Sequence, residues 1–241
     1  MRLSGSFTRS AVLGFGLAAL VVMASVQAET GRAVVRSVRG TADYSDGGSW
    51  LALKVGKVLN PGAKIRTQPQ STVDLFLDIN GPVVRVTENT EVGLDKLSFD
   101  KTGSDSVIET QLDLKSGRIL GRVHKLAAAS KYEVKTPVGV AAIKGTEYDI
   151  SANGVFRVIR GEVLVAFGAG RNQVVRGGES FTPTGGGPTP IDAGTLRDSV
   201  ANLNDLVINT GGPEGVVIIQ PSEPFVSPVI SKEKANSPTA N

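Results

Sequence analysis

"KTPVGVAAIKGTEYDIS", residues 135–151, is the stretch on which the reading of the fold turns. Lys131 to Lys135 alternates, with Tyr132 and Val134 on one side. Thr136-Pro137 then interrupts, because proline has no N–H to give to a ladder and suits a strand start or a sheet edge. Val138 to Ile143 is small and apolar, which predicts a strand buried on both faces. Lys144-Gly145-Thr146 follows, and Glu147-Tyr148-Asp149-Ile150 resumes the β pattern. The charge and the glycine in mid-pattern need a reason. At a strand exit a lysine stem can cover apolar surface while its ammonium reaches water or a carbonyl. Glycine there supplies a bend or a close backbone approach, and Thr146 restarts a strand. The functional alternative is that Lys144 meets an acidic partner or ligand.

Outward from this stretch, Val73, Leu75, Leu77 and Ile79 alternate with Asp74, Phe76 and Asp78, the period-two signature of a half-buried strand. Asn80-Gly81 precedes Val83–Val86, and Asn153-Gly154 precedes Val155–Ile159. Asn-Gly between such runs predicts hairpins with type I′ turns. Asp46-Gly47-Gly48 is a third turn candidate. Further strands are expected at Ala33–Ser37, Ala63–Arg66, Val107–Leu114, Arg118–Lys125, Glu162–Phe167 and Gln173–Val175. Their spacing of roughly ten residues is that of an all-β sandwich, barrel or short solenoid. Two echoes favour stacking: Val38-Arg39-Gly40-Thr41 with Ile143-Lys144-Gly145-Thr146, and Ser116-Gly117-Arg118-Ile119-Leu120 with Arg160-Gly161-Glu162-Val163-Leu164. The expected fold class is therefore all-β, mainly an antiparallel sandwich or a short solenoid-like stack.

The composition changes near Thr182, where "TPTGGGPTP" (182–190) reads as a linker. From residue 193, Leu196, Val200, Leu203 and Leu206-Val207 recur at helical steps, with Asp192 or Thr195 as cap. Gly211-Gly212-Pro213 ends that helix, Val216–Ile219 suggests one added strand, and the Pro- and Ser-rich remainder reads as a flexible tail. At the other terminus, Arg2 and Arg9 precede an apolar run, Ala11–Val26, and Val26-Gln27-Ala28 fits a cleavage site before Glu29. The run is short for a bilayer span, which needs about 20 residues. The domains expected are 1–28 signal peptide, 29–183 β domain, 184–192 linker, and 193–241 short helix and tail. The product is expected to be periplasmic or secreted, with no membrane span after cleavage.

The formal charge of +3 falls to +1 once Arg2 and Arg9 leave with the signal. A near-neutral chain makes no electrostatic claim on nucleic acid. There is no cysteine, so an exported product relies on its core and has no thiolate chemistry. His124 is the single histidine, expected as a surface strand residue, and no nucleophile elbow accompanies it. Asp74 and Asp78, with Glu88 and Glu91 nearby, are read as a solvated acidic face that discourages edge pairing. Their alternative is a glycosidase-like carboxylate pair. Asp43 and Asp46 do not fit a calcium loop. Trp50 is expected as a cap at the sheet end and not as a sugar platform. No catalytic residue, cofactor or metal site is expected.

The spacing Thr136-Pro137-x-Gly139-x4-Lys144-Gly145-Thr146-x-Tyr148 resembles the hallmark segment of the FecR-domain family. "LNPGAKIRTQPQSTVDLFLDINGPVVRVTENTEVGL" (59–94), "LKSGRILGRVHKL" (114–126), "VIRGEVLVAF" (158–167) and "RGGESFTP" (176–183) resemble its other elements, so the likeness spans about residues 33–183. Where that family more often has arginine, Lys144 lacks the fork that clamps a carboxylate. The resemblance implies an exported β domain that binds a protein partner or an envelope component, without enzymatic activity. Two alternatives stand beside it, the first implied by the same resemblance and the second by Asp74 or Asp78 meeting Trp50 or another aromatic in a cleft. One is a membrane-anchored periplasmic regulator like the iron-dicitrate regulators, although the cytoplasmic anti-sigma and receptor-contacting regions of those proteins have no counterpart here. The other is a polysaccharide-binding or carbohydrate-active envelope protein.

Overall fold

In the computed structural model, which describes residues 28–101 and 106–210, two β-sheets pack against one another around a shared core. In chain order the strands are β1 (Glu29–Thr30), β2 (Ala33–Arg39), β3 (Ala42–Ser45), β4 (Leu51–Ala52), β5 (Val58–Leu59), β6 (Lys64–Thr67) and β7 (Thr72–Phe76). Then come β8 (Val83–Val86), β9 (Glu91–Asp100), β10 (Val107–Ser116), β11 (Arg118–Arg122), β12 (Lys131–Thr136) and β13 (Gly139–Ile143). The last are β14 (Glu147–Ser151), β15 (Phe156–Arg160), β16 (Glu162–Phe167), β17 (Arg171–Arg176), β18 (Glu179–Phe181) and β19 (Thr189–Pro190). One helix, α1 (Ala193–Thr210), follows.

The first sheet runs β4-β3-β6-β9-β10-β12-β13-β16-β17, with β1 beside β9; the second runs β5-β2-β7-β8-β11-β14-β15-β18-β19. Beyond the first strands, both orders rise with the sequence. The chain lays one or two strands in one sheet, turns a corner, and lays the next in the other. Antiparallel pairing dominates, but β10 and β12 are parallel because β11, in the opposite sheet, intervenes between them. Sandwich and solenoid-like stack, left open by the sequence, thus describe one object: a two-layered sandwich wound as a stack. Val35, Leu75, Val86, Ile119, Ile150 and Val158 of the second sheet meet Ile65, Leu94, Leu112, Val134, Ile143 and Val165 of the first in one buried cluster. Burying each such side chain contributes on the order of 1.5–3 kcal/mol.

The echoed glycine segments are corners of this stack. Gly40 joins β2 to β3, Gly117 joins β10 to β11, Gly145 joins β13 to β14 and Gly161 joins β15 to β16, each a change of sheet. Their φ values are 75°, 76°, 78° and 87°, in the left-handed region where a Cβ is penalised. The similarity between these segments is therefore one conformational demand met repeatedly. A Cβ on Gly145 would stand 2.9 Å from the Cα of Lys125, so the close approach expected there is present as well.

Several local expectations are corrected. The alternation from Val73 ends at Phe76; Leu77 leads into a 3-10 turn, Asp78–Asn80, and Asp78 has φ 53°. Asn80 does not take the positive φ of a type I′ turn. It is fully buried, its Nδ2 donates to Ser98 O at 2.7 Å, and its own carbonyl accepts from Thr110 Oγ1 at 2.6 Å. A buried amide that ties the β7–β8 loop to the facing sheet replaces a simple hairpin tip. At Ser151–Gly154 only Gly154 has positive φ (95°), so that turn is not type I′ either. In β13 only Ala141 and Ile143 are buried, and Val138 is 38% exposed, because no layer covers that sheet's outer face among the described residues.

Strand β9 escaped the sequence pattern because of a bulge at Asp95: Leu94 pairs with Leu112 while Lys96 pairs with Gln111, so the period of two slips by one residue. The expected linker at 184–192 contains the short edge strand β19. Helix α1 agrees with its periodicity. Asp192 Oδ1 accepts from Thr195 N–H at 2.9 Å, and Ser199, Leu203, Leu206 and Thr210 form the buried face. That face lies across β2, β7, β8, β11 and β15 of the second sheet. The expected signal sequence before Ala28, the Gly-Gly-Pro break, the added strand at Val216–Ile219 and the tail lie outside the described residues.

Candidate functional site

The strands beneath α1 carry charges in rows otherwise made of Val, Leu and Ile. Register pairs Asp74 with Arg85, Arg85 with Leu120, Leu120 with Asp149 and Asp149 with Arg157, one line across the outer face of the second sheet. Arg85 holds Asp74 through Nε–Oδ1 at 2.7 Å and Nη2–Oδ2 at 2.8 Å. Arg118 holds Asp149 in the same forked manner, 2.6 Å on each arm. Helix α1 completes both: Asp205 and Asn202 accept from Arg85, Asn209 donates to Asp74, and Ser199 donates to Asp149 at 2.6 Å. The hydrogen bonds it donates to Asp149, with the charges of Asp149 and Asp198, hold the Arg118 guanidinium above its ordinary pKa, against the effect of burial. For Arg85 burial acts to lower the pKa, but its two carboxylate partners outweigh it and leave it raised.

This corrects the reading of Asp74 and Asp78 as one solvated acidic face. Asp74 is buried with a committed partner; Asp78, past the strand end, pairs with Arg32 at 3.2 Å. Neither is left as half of a carboxylate pair across a cleft. Glu88 accepts from Gln70 N–H at a corner, and Glu91 opens β9. Asp43 pairs with Arg66 at 2.9 Å, and Asp46 with Lys57 at 3.7 Å. Arg66 also stacks on Trp50, 4.4 Å from the ring centroid, next to β4 at the edge of the first sheet.

The hallmark residues divide between the two margins of the stack, with Tyr148 in its core. Thr136 and Gly139 bracket a hairpin tip, with Pro137 and Val138 at its apex. Thr136 Oγ1 donates to Gly139 O at 2.8 Å and accepts from Gly139 N–H at 3.2 Å. Gly139 lies close to the Ala166 carbonyl, 2.8 Å from where a Cβ would be. Tyr148 is in the core, its hydroxyl 3.0 Å from that of Tyr132. Burial raises both phenol pKa values. Lys144, Gly145 and Thr146 form the opposite margin. Thr146 is buried, its Oγ1 donates to Glu162 O at 2.8 Å, and its carbonyl accepts from Val123 N–H at 3.0 Å. Lys144 is exposed and makes no ion pair among the described residues.

At that margin the structure assembles a groove the sequence did not disclose. Pairing of β11 with β14 ends at Arg122 and Glu147, because the partner strand leaves for the other sheet at Gly145. His124, expected on a strand, is instead exposed in the connection that follows β11. Its neighbour Lys125 crosses closely over Gly145. Two clefts meet at His124 and Lys125. The narrower, about 320 Å³, is lined by Arg122, Lys125, Thr146, Glu147 and Arg160. The wider, about 690 Å³, has Phe76, Ile79, Pro82, Ile108 and Leu126 in its wall, with Asp78 at the side. It brings Asp78 beside an aromatic ring but includes neither Asp74 nor Trp50.

The narrow cleft is cationic. Arg122 stands 3.0 Å from Glu147 Oε1, but the contact is not aligned as a hydrogen bond, so the buried Nε–H has no acceptor among the described residues. Lys125 and Arg160 have no ion-pair partner among them. Such an arrangement can receive an anion next to an apolar surface.

No curated protein matches the chain. Among solved structures, two crystal structures of a candidate anti-sigma factor from Parabacteroides distasonis ATCC 8503 are similar. One has 14% identity and a TM-score of 0.43, covering 57% of this chain and 64% of that one. The other has 16% identity and a TM-score of 0.33, covering 56% of this chain and 58% of that one. The chain thus spans less than two thirds of either. Residues 63–164, from the corner before β6 to the middle of β16, match the family model described as FecR protein, and this match lies across the centre of the stack.

Proposed function

We propose that this is an exported, non-enzymatic FecR-domain protein that binds a protein partner of the cell envelope through the groove beside Gly145. The observation that carries the reading is the groove itself, an apolar cleft continuous with a cationic one whose Lys125 and Arg160 make no ion pair among the described residues. The acidic side chains that could have served catalysis on the same margin are engaged: Asp78 with Arg32 and Glu147 with Arg122. Export rests on the basic start, the apolar run Ala11–Val26 and the Val26-Gln27-Ala28 site. No helix among the described residues is long and apolar enough to cross a membrane.

The test is fractionation of the full-length protein in its native host, mass spectrometry of its N-terminus, and cross-linking in the envelope fraction. The reading expects a product that starts at Glu29 and a reproducible cross-linked protein. A membrane-bound product that retains Met1 would replace export with anchoring. Turnover of an envelope polymer by the purified protein would remove the non-enzymatic reading.

A further inference from the structure

The groove's own backbone narrows the kind of partner. His124, Lys125 and Leu126 come after Val123, whose N–H makes the last hydrogen bond to the β14 side, and their own N–H groups find no acceptor among the described residues. Unpaired backbone donors beside a cleft are what an extended chain satisfies when it adds alongside a strand. The side chains add two requirements. The wide cleft, walled by Phe76, Ile79 and Leu126, takes an apolar residue. The narrow cleft, with Lys125 and Arg160 beside the Arg122–Glu147 ion pair, takes a carboxylate. Both clefts share His124 and Lys125, so one continuous segment can reach them together.

We infer that the groove receives an extended acidic segment of a partner protein, paired along residues 124–126, with an apolar side chain at Phe76–Leu126 and an Asp or Glu between Lys125 and Arg160. This rests on the binding reading above and specifies its chemistry. Glu147 contributes too: ion-paired with Arg122, it still places a carboxylate in the same cleft, so it disfavours a segment with several adjacent acids and favours one acid spaced from one apolar residue.

The test uses the full mature chain and a synthetic library of extended nonapeptides with one fixed leucine and one fixed aspartate. A matched library carries asparagine instead. The inference expects enrichment of the aspartate library and at least a tenfold weaker response to asparagine. It also expects slowed amide exchange at residues 124–126 on binding. The double variant Lys125→Glu/Arg160→Glu is expected to lose the enrichment. Lys64→Glu, on the exposed side of β6, is expected to keep it, and circular dichroism checks that both remain folded. Equal binding of both libraries, or enrichment that survives the double variant, would overturn the inference. Binding of phosphatidylglycerol vesicles that the double variant abolishes, with no peptide enrichment, would overturn it in favour of a lipid headgroup. The cross-linking experiment separates the two levels. A partner captured equally by wild type and double variant removes the groove and leaves the binding reading standing. Peptide enrichment with no envelope partner removes the binding reading as stated.

Discussion

Arg85 and Asp74 face each other across the β7–β8 pair with their charged ends locked in a fork, 2.7 and 2.8 Å, and almost no solvent reaches either. Removing one partner of such a pair strands a buried charge, which costs about 3–5 kcal/mol. Asp74→Ala is expected at the lower end of that range, because Asp205 still accepts from Arg85. The apolar double replacement Asp74→Leu/Arg85→Met is expected to recover most of the loss. Urea unfolding of the three proteins checks both statements.

Acid should loosen α1 before it unfolds the sheets. Partial burial acts to raise the Asp205 pKa, but hydrogen bonds from Arg39 and Arg85 outweigh it and leave the carboxyl below its ordinary 3.8. Asp192, the cap, is lowered from the same value by its hydrogen bonds with Thr195. A depressed carboxyl stabilises the folded state above its unfolded pKa and loses that contribution as pH falls through its folded value. The window therefore opens near pH 4 and extends downward. Amide exchange along Ala193–Thr210 is expected to accelerate there, ahead of β10 and β12. Unchanged relative protection at pH 3 would count against it.

Alanine at a corner should cost more where the corner is crowded. Gly145→Ala combines a left-handed φ, worth about 1–2 kcal/mol, with an overlap at the Lys125 backbone. A loss of roughly 2–4 kcal/mol is expected once the overpacking is included. Gly170, with φ 74° and nothing near its missing Cβ, is expected to cost about 1–2 kcal/mol from conformation alone. Denaturant midpoints for the two variants give the comparison.

The Tyr132–Tyr148 contact predicts an alkaline effect and a mutational one. Burial raises both phenols, so their contribution is full below the ordinary value of 10 and declines as pH climbs above it. Tyr148→Phe should leave the Tyr132 hydroxyl unpartnered at a cost of about 1–3 kcal/mol. The double phenylalanine variant should be less damaged than either single one. Thermal unfolding at pH 7 and pH 10.5 distinguishes these outcomes.

Much of the architecture could be read from one chain. Alternating Val, Ile and Leu placed most strands, and the spacing of Leu203 and Leu206 placed α1, since both signals are periodic and local. The glycine echoes pointed to stacking, but their physical cause, a recurrent left-handed corner, shows only in the structure. What failed was non-local. Asp74 looks like any outward residue of a half-buried strand until a helix more than a hundred residues later covers it. Asn80 carries a turn signal, yet its amide is claimed by the facing sheet. Asp95 hides a strand because one inserted residue shifts the alternation. The groove was invisible for a similar reason: Phe76, Arg122, Lys125 and Arg160 are scattered in sequence and meet only because successive layers stack in register.

The ordered advance of both sheets has a consequence for how the chain is made. A chain that emerges from its N-terminus can set each new hairpin on a layer already in place, so assembly can keep pace with synthesis or threading. Helix α1 breaks that order. Its Asp205 closes on Arg39, 166 positions earlier, and on Arg85. The last described segment to emerge is thus the clasp that locks some of the first, and a chain truncated before Ala193 would finish its stack with its earliest charges uncovered.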